Sequence, residues 1–203
     1  MRLFNLCPNK MNKAYREFNS PKEADDWARK IYDTDIFNAE EIEALTNYCG
    51  TYFNSINKYK RKIKGYVPLS PKARKWADFT IPAAISRAPC VPENIVVYRK
   101  ITYKTVSDHF SEHKLIEMGF LSTCFCLDTT IRSIDCDTPW CILKIYVSKG
   151  TSAFYVSLIK DRGESELLIN SNCVLHFEKK YHIRHELVDN EKILIIKCRL
   201  EQE

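Results

Sequence analysis

The sequence predicts an α+β fold in which a helical half is followed by a β-rich half. Helix-start signals and helically spaced apolar residues fill the first part, whereas β-branched and aromatic runs dominate after Pro89. Helices grouped before strands are typical of α+β domains. The five glycines are scattered, so the strand half lacks a glycine-rich phosphate loop of the dinucleotide-fold type. We expect a single domain over 1–203, with a helical lobe at about 1–88 and a β-rich core at about 89–203.

Four helices are predicted in the first half. Ser20 is the expected N-cap of the first, with Pro21 at the first helical position and Glu23 three residues after the cap, as in a capping box. Apolar residues at helical spacing follow this start. The other three helices are expected near Asn38, over 52–64, and from Ser70-Pro71 through Ile81.

The second half predicts mainly strands. Residues 94–101 are rich in β-branched and aromatic side chains and predict the first strand. Val106–Met118 is expected to form one more helix. Further strands are expected in the apolar or alternating runs at 119–125, 140–147, 152–158, 166–169, 174–178 and 192–200.

Charge and composition restrict the class of protein. The net charge of +5 is mildly basic, and the basic run 58–64 is expected to be a solvated helix end, with phosphate contact as the alternative. No apolar run approaches the roughly 18 residues of a membrane span. The first residues lack the apolar core of a signal peptide, so we expect a cytoplasmic protein whose nine cysteines are reduced. Zinc-type Cys-x-x-Cys spacing is absent, and no metal is expected.

Three short motifs in the strand half point to chemistry. Arg99 ends one predicted strand, Ser122-Thr123 lies in another, and Glu164 and Glu166 stand at the entrance to a third. Because side chains alternate along a strand, the two glutamates are expected on one face, where their like charges oppose joint ionisation. Each motif alone has an ordinary structural explanation. Their order along the chain, all in strand context, is much rarer by chance.

This combination resembles the arginine–serine–glutamate class of mono-ADP-ribosyltransferases, which is related to actin-modifying bacterial toxins. Residues 97–99 (Val-Tyr-Arg) are similar to the family's Val-Tyr-Arg strand, and residues 119–124 (Gly-Phe-Leu-Ser-Thr-Cys) to its aromatic-x-Ser-Thr-Ser strand. The similarity extends over roughly Pro21 to Leu200. It implies a mixed or antiparallel β-sandwich as the NAD-binding core, NAD as co-substrate and no metal.

The resemblance also implies a role for each site residue. Glu166 would stabilise the ribose cation that develops as nicotinamide leaves, and Ser122 would orient Glu166 through its hydroxyl. Glu164 would activate the incoming nucleophile as a general base. The implied NAD-binding residues are Arg99, Ser122, Thr123, Tyr98 and Glu166.

The acceptor is expected to be a protein arginine, because Glu-x-Glu is the family's usual arginine signature. One loop departs from the family: an aromatic usually precedes the first glutamate by three residues, but here Asp161 stands there between Lys160 and Arg162. Two cations beside an acceptor would suit a polyanion, so a base of RNA or DNA is the alternative acceptor. The ordinary structural explanation is a solvated loop.

Two further expectations concern the biological setting. A non-catalytic NAD-binding module on the same scaffold is an alternative to an enzyme, although the complete Arg–Ser–Glu set argues against it. An active toxin would endanger the cell that makes it. We therefore expect either delivery into another cell by a dedicated route or restraint by an antitoxin or immunity protein.

Overall fold

The computed structural model describes residues 14–65, 68–133, 139–188 and 191–202. The α-helices are α1 (Pro21–Ala28), α2 (Ala39–Asn47), α3 (Phe53–Lys60), α4 (Pro71–Lys75), α5 (Ile81–Arg87), α6 (Tyr103–Ser107) and α7 (Leu127–Arg132). The strands are β1 (Ile95–Thr102), β2 (Lys114–Glu117), β3 (Leu121–Cys124), β4 (Trp140–Val147), β5 (Ala153–Tyr155), β6 (Glu166–Ile169), β7 (Cys173–Arg184) and β8 (Lys192–Gln202). Two π-helical segments, Tyr48–Tyr52 and Trp76–Thr80, join α2 to α3 and α4 to α5.

Three of the four predicted helix starts are confirmed by their caps, whereas α3 begins without a side-chain cap. The Ser20 hydroxyl accepts the backbone N–H of Glu23 at 3.2 Å at the start of α1. At α2 the capping box is complete: Asn38 Oδ1 accepts the N–H of Glu41, and Glu41 Oε2 accepts the N–H of Asn38, both at 3.0 Å. Ser70 caps α4 in the same way as Ser20 caps α1. Each cap satisfies donors that the first helical turn leaves free.

The prediction of one helix over Val106–Met118 is wrong. Helix α6 ends at Ser107, and His113 has a φ of 54°, in the left-handed region that stops a right-handed helix. The chain then forms β2, which pairs antiparallel with β7. Leu115 and Glu117 are buried in β2 while the residues between and before them are exposed, so a period of two replaces the period of a helix.

The strands form a mixed sheet in the order β2-β7-β8-β4-β1-β3-β6-β5. Neighbours are antiparallel except β4 and β8, which are parallel. Between β1 and β3, one register pair is found in the described residues, Tyr98 opposite Cys124. The sheet thus divides there into a five-strand part and a three-strand part. Both parts contribute to one hydrophobic core, with Leu143 from the first and Leu167 from the second, which confirms the α+β class with a mixed sheet.

Helix α3 is fixed to the turn that leads into β3. Arg61, one residue past α3, donates from Nε and Nη2 to the two carboxylate oxygens of Glu117, both at 2.7 Å. Glu117 is 6% exposed, and its Oε1 also accepts the N–H of Gly119 at 2.8 Å. The buried carboxylate is therefore paired in a bidentate geometry, the strong form of this interaction.

Asn57 completes this attachment. Its Oδ1 accepts the N–H of Phe120 at 2.9 Å, and its Nδ2 donates to the hydroxyl of Tyr48 at 3.0 Å. A Cβ at Gly119 would lie 2.7 Å from Asn57 Oδ1 and 3.0 Å from Glu117 Oε1, so only glycine fits without displacing both contacts. The helical half thereby sets the position at which β3 begins.

The expectations about cysteines and membrane spans can be compared with the structure only over the described residues. The cysteines that the structure describes form no disulfide with one another, whereas Cys7 and Cys136 lie outside the described residues, as does the segment judged for a signal peptide. Among the described helices none is both long and apolar enough to cross a bilayer.

Replacing Arg61 by Leu is expected to lower the free energy of unfolding by about 3–5 kcal/mol, because Glu117 would remain buried without its cation. Urea denaturation of the variant and the unchanged protein measures this difference. Lys22→Ala removes an exposed ion pair with Asp26 in α1 and serves as control, with an expected change within about 0.5 kcal/mol. Equal effects of the two substitutions would contradict the account of the Arg61–Glu117 pair.

Candidate active site

The three sequence motifs meet where β1, β3 and β6 adjoin. Arg99 Nη1 donates to the backbone oxygen of Ser122 at 2.8 Å, and Ser122 Oγ donates to Glu166 Oε1 at 2.5 Å. Thr123 Oγ1 donates to the backbone oxygen of Leu167 at 2.8 Å. A continuous chain of hydrogen bonds therefore joins one residue of each motif, beside the Tyr98–Cys124 pairing of β1 with β3.

Glu166 is a buried residue whose backbone N–H and carboxylate both form hydrogen bonds. It is 4% exposed, and its backbone N–H donates to Ser157 Oγ at 2.9 Å. Its Oε1 accepts Ser122, while its Oε2 accepts Arg162 Nη2 at 2.5 Å. Because burial of a charge costs free energy unless donors replace water, these contacts offset the cost of burying the carboxylate and fix it in place.

Glu164 and Glu166 converge, but not by strand alternation as the sequence had suggested. Strand β6 begins at Glu166, and the intervening Ser165 has a φ of 47°, in the left-handed region. The chain therefore turns between the two glutamates. Both carboxylates approach a single atom, Nη2 of Arg162, at 2.9 Å from Glu164 Oε2 and 2.5 Å from Glu166 Oε2.

The environment of Glu164 differs from that of Glu166. Its side chain is 49% exposed, and its backbone oxygen accepts Cys124 Sγ at 2.8 Å. Partial burial raises the pKa of the Glu164 carboxyl above its ordinary value, and the nearby charge of Glu166 raises it further, while the Arg162 guanidinium acts in the opposite direction. One carboxylate is thus buried and anchored, and the other is accessible and has a raised pKa.

The loop before the glutamates is divided between solvent and the cleft. Lys160 and Asp161 are exposed, and Asp161 Oδ1 accepts the N–H of Gly163 at 2.8 Å, which closes a tight turn. Arg162 contacts the cleft residues: its side chain is 28% exposed, and its Nη1 donates to the backbone oxygen of Cys49 at 3.0 Å. Cys49 lies in the first π-helical segment, so this loop is tied to the helical half.

These groups line a cleft of about 340 Å³. Its volume is of the size that small-molecule sites require. Lining residues that were not expected from the sequence are Tyr48, Cys49, Phe53, Asn57, Lys100, Cys124, Thr129, Thr130 and Ser133. Tyr48 and Asn57 belong to predicted helices, but no local signal marks which helical residues will face a cleft.

Tyr98 borders the cleft, but its hydroxyl is directed elsewhere. The hydroxyl donates to Glu17, whose carboxylate also accepts Lys144 Nζ at 2.6 Å. Burial and this neighbouring carboxylate raise the pKa of the Tyr98 phenol. A hydrogen bond donated by Tyr98 to a ligand in the cleft would require the hydroxyl to leave Glu17, because the phenol has one proton to donate.

The donors and acceptors of the cleft fit NAD. Arg99 Nε is buried and has no hydrogen-bond partner among the described residues, and an unmet buried donor costs about 1–3 kcal/mol. A phosphate or ribose oxygen would satisfy it, while the two carboxylates suit a ribose that becomes cationic. In the described part of the chain, no three His, Cys, Asp or Glu side chains cluster so as to hold a metal ion.

Solved structures of ADP-ribosylating toxins share this fold. Plx2a, an ADP-ribosyltransferase toxin from Paenibacillus larvae, has a TM-score of 0.73 at 19% identity, covering 90% of this chain and 96% of that one. The C3 exoenzyme of Clostridium limosum gives 0.71 at 22%, covering 93% and 98%. C3stau2 from S. aureus, solved with NAD, gives 0.72 at 18%, covering 93% and 99%. No curated protein is significantly similar in sequence.

The sequence itself matches a family model. That model is described as ADP-ribosyltransferase exoenzyme, and the match spans residues 16–202, which include all the motif residues above. Fold, cleft and motif order are consistent with this match. The chain therefore belongs to the ADP-ribosyltransferase exoenzyme family.

Proposed function

We propose that this NAD-dependent ADP-ribosyltransferase modifies the guanidinium group of a protein arginine. The observation that carries the proposal is the convergence of Glu164 and Glu166 on a single guanidinium nitrogen, that of Arg162. The same pair of carboxylates could receive the guanidinium of an acceptor arginine. Charge-assisted hydrogen bonds of this kind are the strong ones, and the planar guanidinium suits carboxylate geometry.

Glu166 acts on the donor substrate in this proposal. When the bond between nicotinamide and ribose breaks, nicotinamide leaves with the electron pair and the ribose becomes cationic. A carboxylate already fixed by Ser122 and Ser157 can stabilise that charge without reorganising. Its burial in the cleft wall increases the effect because water screens the interaction less.

Glu164 acts on the acceptor. A guanidinium is protonated at ordinary pH and is a poor nucleophile, so its attack requires a group that takes up a proton. Glu164 is accessible and lies on a turn rather than in a strand. Its raised pKa brings it closer to the value that suits a general base working near neutral pH.

Arg99 binds the anionic part of NAD. Its guanidinium already donates to the backbone of β3 at one nitrogen, and its Nε is the donor that lacks a partner among the described residues. A fixed fork with a free donor would hold a phosphate in one orientation, which a lysine could not do equally well. Thr123 supports this wall through its bond to β6.

The acceptor class is tested with labelled NAD. The protein is incubated with NAD labelled in its adenylate part and a cell lysate, which is then treated with protease or with nuclease. We expect protease to release the label, and peptide mass spectrometry to locate ADP-ribose on arginine. Label released by nuclease instead would contradict the arginine proposal and support a nucleic-acid acceptor.

Substituting the two glutamates separately is expected to separate two activities. Glu166→Gln should lower both NAD hydrolysis and transfer by about 100-fold or more, because the fixed negative charge is lost. Glu164→Gln should lower transfer by about 100-fold but leave hydrolysis within about tenfold, since water needs no guanidinium-activating base. Nicotinamide release and label transfer measure the two activities.

The control for these variants is Glu201→Gln, which removes an exposed carboxylate of β8 that pairs with His176. It should leave both activities unchanged, and thermal unfolding should show that all three variants are folded. An equal loss of hydrolysis and transfer in Glu164→Gln would contradict the division of roles.

Transfer is expected to decline in acid at a pH above the ordinary carboxyl value of 4.5, because protonated Glu164 cannot accept a proton and its pKa is raised. In Arg162→Gln the cation that lowers this pKa is removed. The acid limb of transfer should therefore move to higher pH. Rates measured across pH for the two proteins test this, and a limb that stays in place or moves to lower pH would refute it.

A further inference from the structure

We propose that Arg162 is an internal acceptor, so that the enzyme transfers ADP-ribose from NAD to its own Arg162 when no other acceptor is present. The inference rests on the proposed arginine chemistry and adds a modification site to it. Its basis is positional: the guanidinium of Arg162 already contacts both carboxylates that are proposed to act on the donor and the acceptor.

The contacts of Arg162 match those that an acceptor guanidinium would need. Nη2 lies 2.9 Å from Glu164 Oε2, the group that would take its proton, and 2.5 Å from Glu166 Oε2, the group beside the ribose. Nη1 is held by the backbone oxygen of Cys49 at 3.0 Å. The group is therefore oriented as well as close, and orientation supplies much of the advantage of an intramolecular reaction.

The local backbone keeps Arg162 at this position. Gly163 has a φ of 72° and Ser165 a φ of 47°, so the chain reverses immediately after Arg162 and returns Glu164 to its side. Asp161 Oδ1 closes the turn by accepting the N–H of Gly163. Only Gly163 separates the nucleophile from its base along the chain, so little conformational entropy is lost when they meet.

Other arginines lack this arrangement. Among the described residues, Arg162 alone forms an ion pair with either glutamate of the site. Arg99 also lines the cleft, but its Nη1 donates to the backbone oxygen of Ser122. Arginines outside the cleft pair with other carboxylates, as Arg61 does with Glu117 and Arg87 with Glu41. The geometry therefore selects one residue.

The reaction balances with NAD as the only co-reactant. As NAD enters, a ribose hydroxyl takes the place of Nη2 at Glu166 Oε2, and Arg162 remains bound to Glu164. The bond from ribose C1′ to the nicotinamide nitrogen breaks, and nicotinamide leaves as a neutral molecule with the electron pair. A nitrogen of Arg162 forms the new bond to C1′, and its proton passes to Glu164.

The test uses the full chain with NAD and no added acceptor. Peptide mass spectrometry should find ADP-ribose on Arg162, and the initial rate of labelling per molecule should not depend on enzyme concentration, because the reaction is intramolecular. Arg162→Lys should abolish the label. Arg184→Lys, at the exposed end of β7, is the matched control and should retain it. Glu164→Gln should remove the label while nicotinamide release continues.

Two outcomes separate this inference from the proposed function. If lysate proteins are labelled on arginine but Arg162 of the wild-type chain stays unmodified, the internal acceptor is refuted and the proposed function stands. If NAD is cleaved but neither Arg162 nor any lysate arginine is labelled, both are refuted. Mapping the label on the wild-type protein decides the matter even if Arg162→Lys fails to fold.

Discussion

The site depends on one constraint, which is that the carboxylate of Glu166 is buried and needs hydrogen-bond donors in place of water. A buried carboxylate without such partners would destabilise the fold. Here a hydroxyl occupies one oxygen and a guanidinium the other, and a second serine binds the backbone N–H. The strand pairing of β3 with β6 brings Ser122 to this carboxylate, and the turn before β6 brings Arg162. These local contacts thus take the place of water around the Glu166 carboxylate.

Residues of the helical half also help to position the site. Asn57 and Arg61 fix the turn at Gly119, and that turn determines where β3 starts. The backbone oxygen of Cys49 accepts a hydrogen bond from Arg162 and so connects the loop before the glutamates to the first π-helical segment. The position of the glutamates consequently depends on contacts between the two halves. A substitution in a helix can therefore alter the site without touching NAD.

Sequence reasoning reached the parts of this structure that depend on local patterns. The caps at Ser20 and Asn38 are formed by side chains three residues from their partners, and such short-range signals can be read directly. The prediction of a helix over residues 106–118 is wrong because the spacing of apolar residues does not distinguish a helix from a turn followed by a strand. The partner of that strand, β7, is distant in the sequence. The hydrogen bond from Tyr98 to Glu17 joins residues 81 positions apart, so no local sequence pattern predicts it.

Within the site, residue identities were accessible from the motifs but the geometry was not. Glu-x-Glu implied two neighbouring carboxylates, yet the left-handed turn at Ser165 brings them together around Arg162. Arg162 itself reads as one of two loop cations, and nothing in its neighbours indicates that it contacts both glutamates. That position depends on its tertiary partner at Cys49.

A crystal structure with a non-hydrolysable NAD analogue tests the central claim most directly. The account predicts a ribose hydroxyl within hydrogen-bond distance of Glu166 Oε2, a phosphate or ribose oxygen on Arg99, and Arg162 withdrawn from Glu166 but still bound to Glu164. An analogue bound with the Arg162–Glu166 contact intact and its ribose remote from Glu166 would contradict the account.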